Sequence, residues 1–396
     1  MMFRCRFTPA RKPNEHYQIT MPNMRFYSFV LILFCPFVSF SQLPKQAALS
    51  FNEGVLAFRE GNLNKAVEAY SEAIKEYPSY EKALFNRGKA YLRMKEYNRA
   101  LKDMRTLLNI DPSNGKAAMY RGYAHMKLKQ YDAAIASYTK AIAIQGFCEQ
   151  CLEFRAICFM NEKKYGAAIA DFDALLDKNR TDGKSTFNRA ACLAKKGETS
   201  ASIEGYKKSI DLNYKKLESF LEIARMHAKE KEYSLAISAC SRALSEDPDH
   251  VQASYLRGFC YMKNDNQEKA LYDFNKVLIN EPSNNDARKN RAYVYYKLEM
   301  YNKASKDYSS LINLAPSDMS LYVNRGLAEL KLNRYDQAYQ DFTEVISDNP
   351  DLASAYYNRA TASIGLKNDS EACNDMRQAA RLGFKEAFSH IQAVCK

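Results

Sequence analysis

Apolar and polar positions along this chain repeat with a long period. The stretch FNRGKAYLRMKEYNRA, residues 85–100, returns as VNRGLAELKLNRYDQA at 323–338, and the offset of 238 residues is seven steps of 34. With Gly88 at position 8 of a 34-residue unit, that position reads Gly54, Gly88, Gly122, Ala156, Ala190, Ala224, Gly258, Ala292, Gly326 and Ala360. Position 20 reads Ala66, Ala100, Ala134, Ala168, Ser202, Ala236, Ala270, Ala304, Ala338 and Ala372. Two small columns at this spacing predict two helices per unit that cross closely, where a larger side chain would push the backbones apart. Position 24 is large and apolar, from Tyr70 and Met104 to Phe342 and Met376. Position 32 is Pro78, Pro112, Pro248, Pro282, Pro316 and Pro350, a stop for the second helix.

Small residues at 8 and 20, an aromatic at 24 and proline at 32 of a 34-residue unit resemble the tetratricopeptide repeat (TPR) family. The resemblance spans residues 47–386 as ten units without an insertion. It implies an all-α fold, a right-handed superhelical solenoid of helix-turn-helix units with a concave groove. One hairpin cannot bury its apolar face alone and buries it against its neighbours. The middle is the least regular part. Units 3 to 5 have Gly146, Arg180 and Tyr214 in place of proline, and unit 5 has Ser202 in the alanine column. Residues 385–396 offer one further short helix, the cap that a solenoid end needs.

The first 41 residues follow another pattern. MRFYSFVLILFCPFVSFSQ runs from Met24 to Gln42 with a basic start at Arg25, an apolar run, and Ser39-Phe40-Ser41. That is the order of a secretory signal. Met24 is read as its start and cleavage is expected after Ser41, which implies export to a periplasmic or extracellular location. The alternative is an uncleaved N-terminal anchor, and only then would a membrane be a partner.

Charge and composition change this picture little. The chain carries 58 Lys and Arg against 46 Asp and Glu, a formal +12. Residues 1–41 hold five of the bases and one of the acids, which leaves 53 against 45 beyond them. No basic cluster stands out, so a nucleic-acid partner is not expected. Glycine and proline number 14 and 11, as suits a helical chain.

Two further columns keep company. Position 7 is Arg87, Arg121, Arg155, Arg189, Arg257, Arg291, Arg325 and Arg359, and position 23 is Asp103, Asp171, Asp273, Asp307, Asp341 and Asp375. Unit 6, with Ile223 and Ala239, lacks both. A structural Arg–Asp pair is expected, either within a unit or reaching the preceding unit's second helix.

At 100° per residue, positions 2, 6, 9 and 13 of the first helix form one stripe, with 5 and 12 beside it. The resemblance places that stripe in the groove. Position 6 carries Asn52, Asn86, Asn188, Asn290, Asn324 and Asn358, and Tyr255, Phe259, Tyr293 and Tyr357 lie beside it. Position 13 is basic in eight units, among them Arg59, Arg93, Lys297 and Lys331. An amide donates and accepts, so it can pair with the backbone of an extended peptide of almost any sequence. The asparagine column resembles the ladder in the repeat superhelix of O-linked N-acetylglucosamine transferase. These residues are also common within the family, and a scaffold role for them stays open. The expected partner is a protein or peptide. The chaperone carboxylate clamp of some relatives is not expected, because Lys289 is the sole lysine at position 5 and Tyr293 follows at position 9.

Cys5 and Cys35 fall in the expected signal region and Cys240 in the large column at position 24, and the other seven cysteines divide three ways. Cys158, Cys192 and Cys260 occupy position 10, where alanine is common, and read as buried fillers. Cys148 and Cys151, in CEQC, open unit 4 and read as a local disulfide or inert thiols. Cys373 and Cys395 each lie eleven residues from a turn near Phe384, level with one another in an antiparallel pair, and are expected to form a disulfide. No catalytic constellation, cofactor motif or metal-spaced His/Glu pair is recognised, and a non-enzymatic scaffold is expected.

Overall fold

The computed structural model describes residues 43–395. The expected signal segment Met24–Ser41 lies outside the described residues, as do Cys5 and Cys35. The described chain from Lys45 onward is all-α. Ten helical hairpins follow one another: α1 (Lys45–Arg59) with α2 (Leu63–Glu76), α3 (Glu81–Arg93) with α4 (Tyr97–Ile110), α5 (Gly115–Lys127) with α6 (Tyr131–Gln145), α7 (Glu149–Asn161) with α8 (Tyr165–Lys178), and α9 (Gly183–Lys196) with α10 (Thr199–Asp211). The series continues as α11 (Lys216–Lys229) with α12 (Tyr233–Glu246), α13 (Val251–Lys263) with α14 (Gln267–Asn280), α15 (Asn285–Lys297) with α16 (Tyr301–Leu314), α17 (Met319–Lys331) with α18 (Tyr335–Asp348), and α19 (Ala353–Gly365) with α20 (Asp369–Arg381). The cap helix is α21 (Lys385–Val394). Each helix packs on its chain neighbours, and in several places a first helix also touches the first helix of the next unit, as α11 does α13 and α13 does α15. The arrangement is a repeat solenoid whose core runs along the stack.

The small columns work as spacers. All nine column alanines at position 20 are fully buried. A Cβ added to Gly54 would stand 2.6 Å from the Tyr70 ring, and one added to Gly122 or Gly326 would stand 2.8 Å from Tyr138 or Phe342. Position 8 of the first helix therefore faces position 24 of the second, and that large side chain is buried in every unit. Unit 5 inverts the sizes. A Cβ on Gly205 would lie 2.8 Å from that of Ala190, while Ser202, in the alanine column, donates 2.8 Å to the Ala190 carbonyl. The buried hydroxyl is satisfied, which offsets its desolvation.

The turn inside each hairpin is built identically in all ten units. Position 15 is left-handed at Gly61, Lys95, Lys129, Lys163, Gly197, Lys231, Asp265, Glu299, Asn333 and Lys367. The next residue's N–H closes the turn onto the carbonyl five residues back, as Glu96 does to Tyr91 at 2.8 Å and Met300 to Tyr295 at 2.8 Å. This bond satisfies a carbonyl that the helix end would leave unpaired. Glycine is the residue such a turn favours, yet the column holds mostly lysine and other polar residues. Nothing in the side-chain pattern marked it.

The turns between hairpins vary where proline is missing. Gly146 in unit 3 has φ 74°, and in unit 5 Asn213 and Lys215 are both left-handed. The C-terminal end is tied down covalently. Cys373 and Cys395 are joined by a disulfide with Cα atoms 5.0 Å apart. Tyr357 stacks on Phe384, with ring centroids 4.8 Å apart, so α21 covers the last hairpin.

Candidate functional site

The arginine column links three helices. Arg87 gives Nε and Nη2 to both carboxylate oxygens of Asp103 at 2.9 and 2.7 Å. Its Nη1 donates 3.0 Å to Ser71 Oγ, at position 25 of the preceding unit. The same three-way pattern recurs at Arg155, Arg257, Arg291, Arg325 and Arg359. Of the two partners that the sequence left open, the acid is within the unit and a hydroxyl or amide comes from the unit before. Two units depart from this. Arg121 reaches only Ser137, and the nearby Arg105 guanidinium adds to the effect of burial in holding its pKa below the usual arginine value. Arg189 turns wholly to Asp173 of the preceding unit. Where the full pattern holds, the guanidinium donors are used between helices, as a structural pair requires.

Four clefts recur along the face made by the first helices. A cleft of about 460 Å³ is lined by Phe85, Lys89, Lys116, Met119, Tyr120 and the start of α7. A smaller one of about 160 Å³ adjoins it at Glu81, Lys82, Phe85 and Asn114. Another of about 410 Å³ lies at Arg225, Gln252, Tyr255, Leu256 and Asp286. The last, of about 340 Å³, lies at Ser320, Val323, Asn324 and Leu352. Most of these lining residues stand at positions 2, 5, 6 and 9 of their units. Parts of the stripe derived from helical geometry thus open into clefts, in units 2–4, 6–8 and 9.

The ten residues expected to hold a peptide do not share one environment. Asn52 is exposed, whereas Asn86, Asn188, Asn290, Asn324 and Asn358 are half-buried. Asn324 lines a cleft. Asn290 donates 3.1 Å to the Tyr255 hydroxyl, so its amide already has a partner in the preceding unit. Tyr255 packs edge-on against Phe274 and Tyr357 lies against Phe384. Both therefore take part in helix packing, a role the sequence reading did not give them. Tyr293 is 41% exposed and Phe259 half-buried. Lys297 lies 5.7 Å over the Tyr293 ring, Lys263 5.6 Å over Phe259, and Lys127 5.2 Å over Tyr123. The basic column at 13 thus covers the aromatic residue one helical turn earlier at 9, a pairing visible in the sequence as an i, i+4 spacing.

Several other polar side chains pair locally. Lys289 donates 2.9 Å to Asp318 and 3.0 Å to Ser320, which occupies the lone lysine at position 5. His125 Nδ1 lies 2.7 Å from Gln130 Oε1 and His227 Nδ1 2.6 Å from Glu232 Oε2, each across the hairpin turn. Cys158, Cys192, Cys240 and Cys260 are free and buried, and burial pushes their thiols up to about 12, 11, 12 and 11. Among the described residues, no group of three or more His, Cys, Asp or Glu is placed to hold a metal ion. No helix among them is long and apolar enough to cross a membrane.

The family model described as tetratricopeptide repeat matches residues 85–147, 221–287 and 323–383, and a second, described as TPR repeat, matches 56–95. The chain belongs to the tetratricopeptide repeat family. No curated protein matches it. Among solved structures, the C-terminal part of a TPR repeat-containing protein from Cytophaga hutchinsonii is 18% identical, with 61% of this chain and 98% of that one covered and a TM-score of 0.54. The TPR domain of P58(IPK) is 20% identical over 88% of this chain and 98% of its own, with a TM-score of 0.30. YrrB, described as a TPR protein with an unusual peptide-binding site, is 20% identical over 56% and 97%, with a TM-score of 0.35. The chain is accordingly an interaction scaffold for proteins, built on a fold that is in general non-catalytic.

Proposed function

We propose that this scaffold is exported and holds an extended segment of a partner protein along the groove lined by its first helices. The observation that carries the reading is the presence of clefts on this face at three places along the stack, in units 2–4, 6–8 and 9. An extended chain along this face meets all three openings, and half-buried asparagine amides, Asn324 in a cleft wall among them, match its backbone. Phe259 and Tyr293, each under a lysine, supply apolar contact and favour a segment with acidic residues.

The test is affinity for the tightest peptide selected from a displayed random library. Net hydrogen bonds are worth about 1 kcal/mol each, so changing Asn290, Asn324 and Asn358 together to Ala weakens binding about a hundredfold with helicity kept. A triple variant that binds normally, or a library that yields no binder, overturns the groove reading. Export is tested at the mature N-terminus. Gln42 as the first residue supports it, and an intact Met24 on a membrane-bound chain supports the alternative of a membrane-tethered assembly factor or receptor held by an uncleaved N-terminal helix.

A further inference from the structure

Position 34, just before each first helix, is an N-cap column. Asn114, Asp182, His250, Asn284 and Asp318 each accept a backbone N–H there with a side-chain atom. In unit 4 the cap is Cys148, whose Sγ accepts from the Cys151 N–H at 3.2 Å. Cys148 is also joined to Cys151 by a disulfide, Cα atoms 5.2 Å apart. This bond spans only three positions and so constrains the unfolded chain far less than Cys373–Cys395 does. The cap geometry also gives the reduced sulfur a place. A Cys148 thiolate would be a stronger acceptor for the same N–H and would sit at the positive end of α7.

A second observation points to a reacting partner. Cys148 lines the largest of the clefts, about 460 Å³, with Lys89, Lys116 and Glu149 on its walls. The walls thus carry two ammonium groups against one carboxylate. Cys148 is 9% exposed and lines the cleft, whereas Cys151 is fully buried and does not. Among the described residues the free cysteines, Cys158, Cys192, Cys240 and Cys260, are all buried, and burial raises the pKa of their thiols.

We infer that Cys148–Cys151 is a thiol–disulfide exchange site whose substrate is a cysteine pair in a polypeptide lying in this cleft. A substrate thiolate attacks Cys148 Sγ. The bond to Cys151 breaks, and Cys151 leaves as a thiolate and takes up a proton. The second substrate thiolate then attacks the substrate sulfur of the mixed disulfide. The substrate disulfide forms, and Cys148 is released as the thiolate that caps α7. Two electrons pass from the two substrate thiols to the protein's pair, which ends as a dithiol.

The inference does not rest on the asparagine ladder, and the triple asparagine variant should exchange thiols normally. The full chain carrying Cys151→Ser is treated with oxidised glutathione and mapped by peptide mass spectrometry. A glutathione adduct is expected on Cys148, and none on Cys151 in Cys148→Ser. In the unaltered chain, equilibration in glutathione buffers followed by maleimide trapping should label Cys148 and Cys151 together while Cys158, Cys192, Cys240 and Cys260 stay unlabelled. A synthetic extended peptide with two thiols should be oxidised by the unaltered chain, and this should be lost in Cys148→Ser although Cys373–Cys395 remains. Absence of the Cys148 adduct, a pair that is reduced only after unfolding, or peptide oxidation that survives Cys148→Ser would overturn the assignment.

Discussion

Arg291 grips Asp307 with both Nε and Nη2 at 2.8 Å while its remaining Nη1 reaches Asn275 of the preceding unit at 3.0 Å. One side chain therefore holds a hairpin closed and sets its register on its neighbour. Removing the arginine leaves a largely buried carboxylate without its cation, so Arg291→Ala should cost about 3 kcal/mol in a urea titration. Asn275→Ala should cost less, because the guanidinium keeps its acid. A double variant of Arg291 and Asp307 to uncharged residues should recover part of the loss, and strict additivity would contradict the pairing.

The left-handed position in the hairpin turn gives a backbone test. Gly197 has φ 85° and no atom would meet an added Cβ within 4 Å. Gly197→Ala should therefore lose about 1 kcal/mol through conformation alone. The converse, Glu299→Gly at φ 60°, should gain about 0.5 kcal/mol, the relief of strain offset in part by a looser unfolded chain. Thermal melts of the two variants should move in opposite directions.

Protection along the stack should be uneven. Arg121 lacks an acid and faces Arg105, Arg189 has left its own unit, and unit 6 has Ile223 where the arginine belongs. Interfaces of a solenoid contribute nearly independently. Amides in α5, α6 and α9–α12 should exchange faster than those in α13–α18, where every arginine staple is present. Uniform exchange by mass spectrometry would count against it.

Alkali should weaken the fold through the buried thiols. From an ordinary value of 9.0, burial pushes Cys158 and Cys240 up to about 12 and Cys192 and Cys260 to about 11. The folded chain holds these protons more tightly than the unfolded one. That contribution is complete below pH about 9 and is lost as pH rises through the folded values. Buried tyrosines such as Tyr138, raised by burial, act in the same direction. Urea midpoints should fall between pH 9 and 10.5, and Cys240→Ala should flatten the decline whatever it does to stability at neutral pH.

The 34-residue period, the helix pair in each unit and the Arg and Asp columns were all determined by the sequence alone. They could be read there because each depends on local spacing: helical periodicity sets which positions share a face, and Gly or Ala at 8 and 20 admits one close crossing. What crosses between units was decided only in three dimensions. The third bond of Arg291 goes to Asn275, sixteen residues before it, and its acid lies sixteen residues after, because two helix crossings bring both to one guanidinium. Tyr255 and Tyr357 read as groove residues, yet each is half-used in packing once a second helix or the cap lies against it. Lysines in a left-handed turn and a cysteine in an N-cap column carry no compositional mark, because the backbone path imposed by packed neighbours sets those conformations.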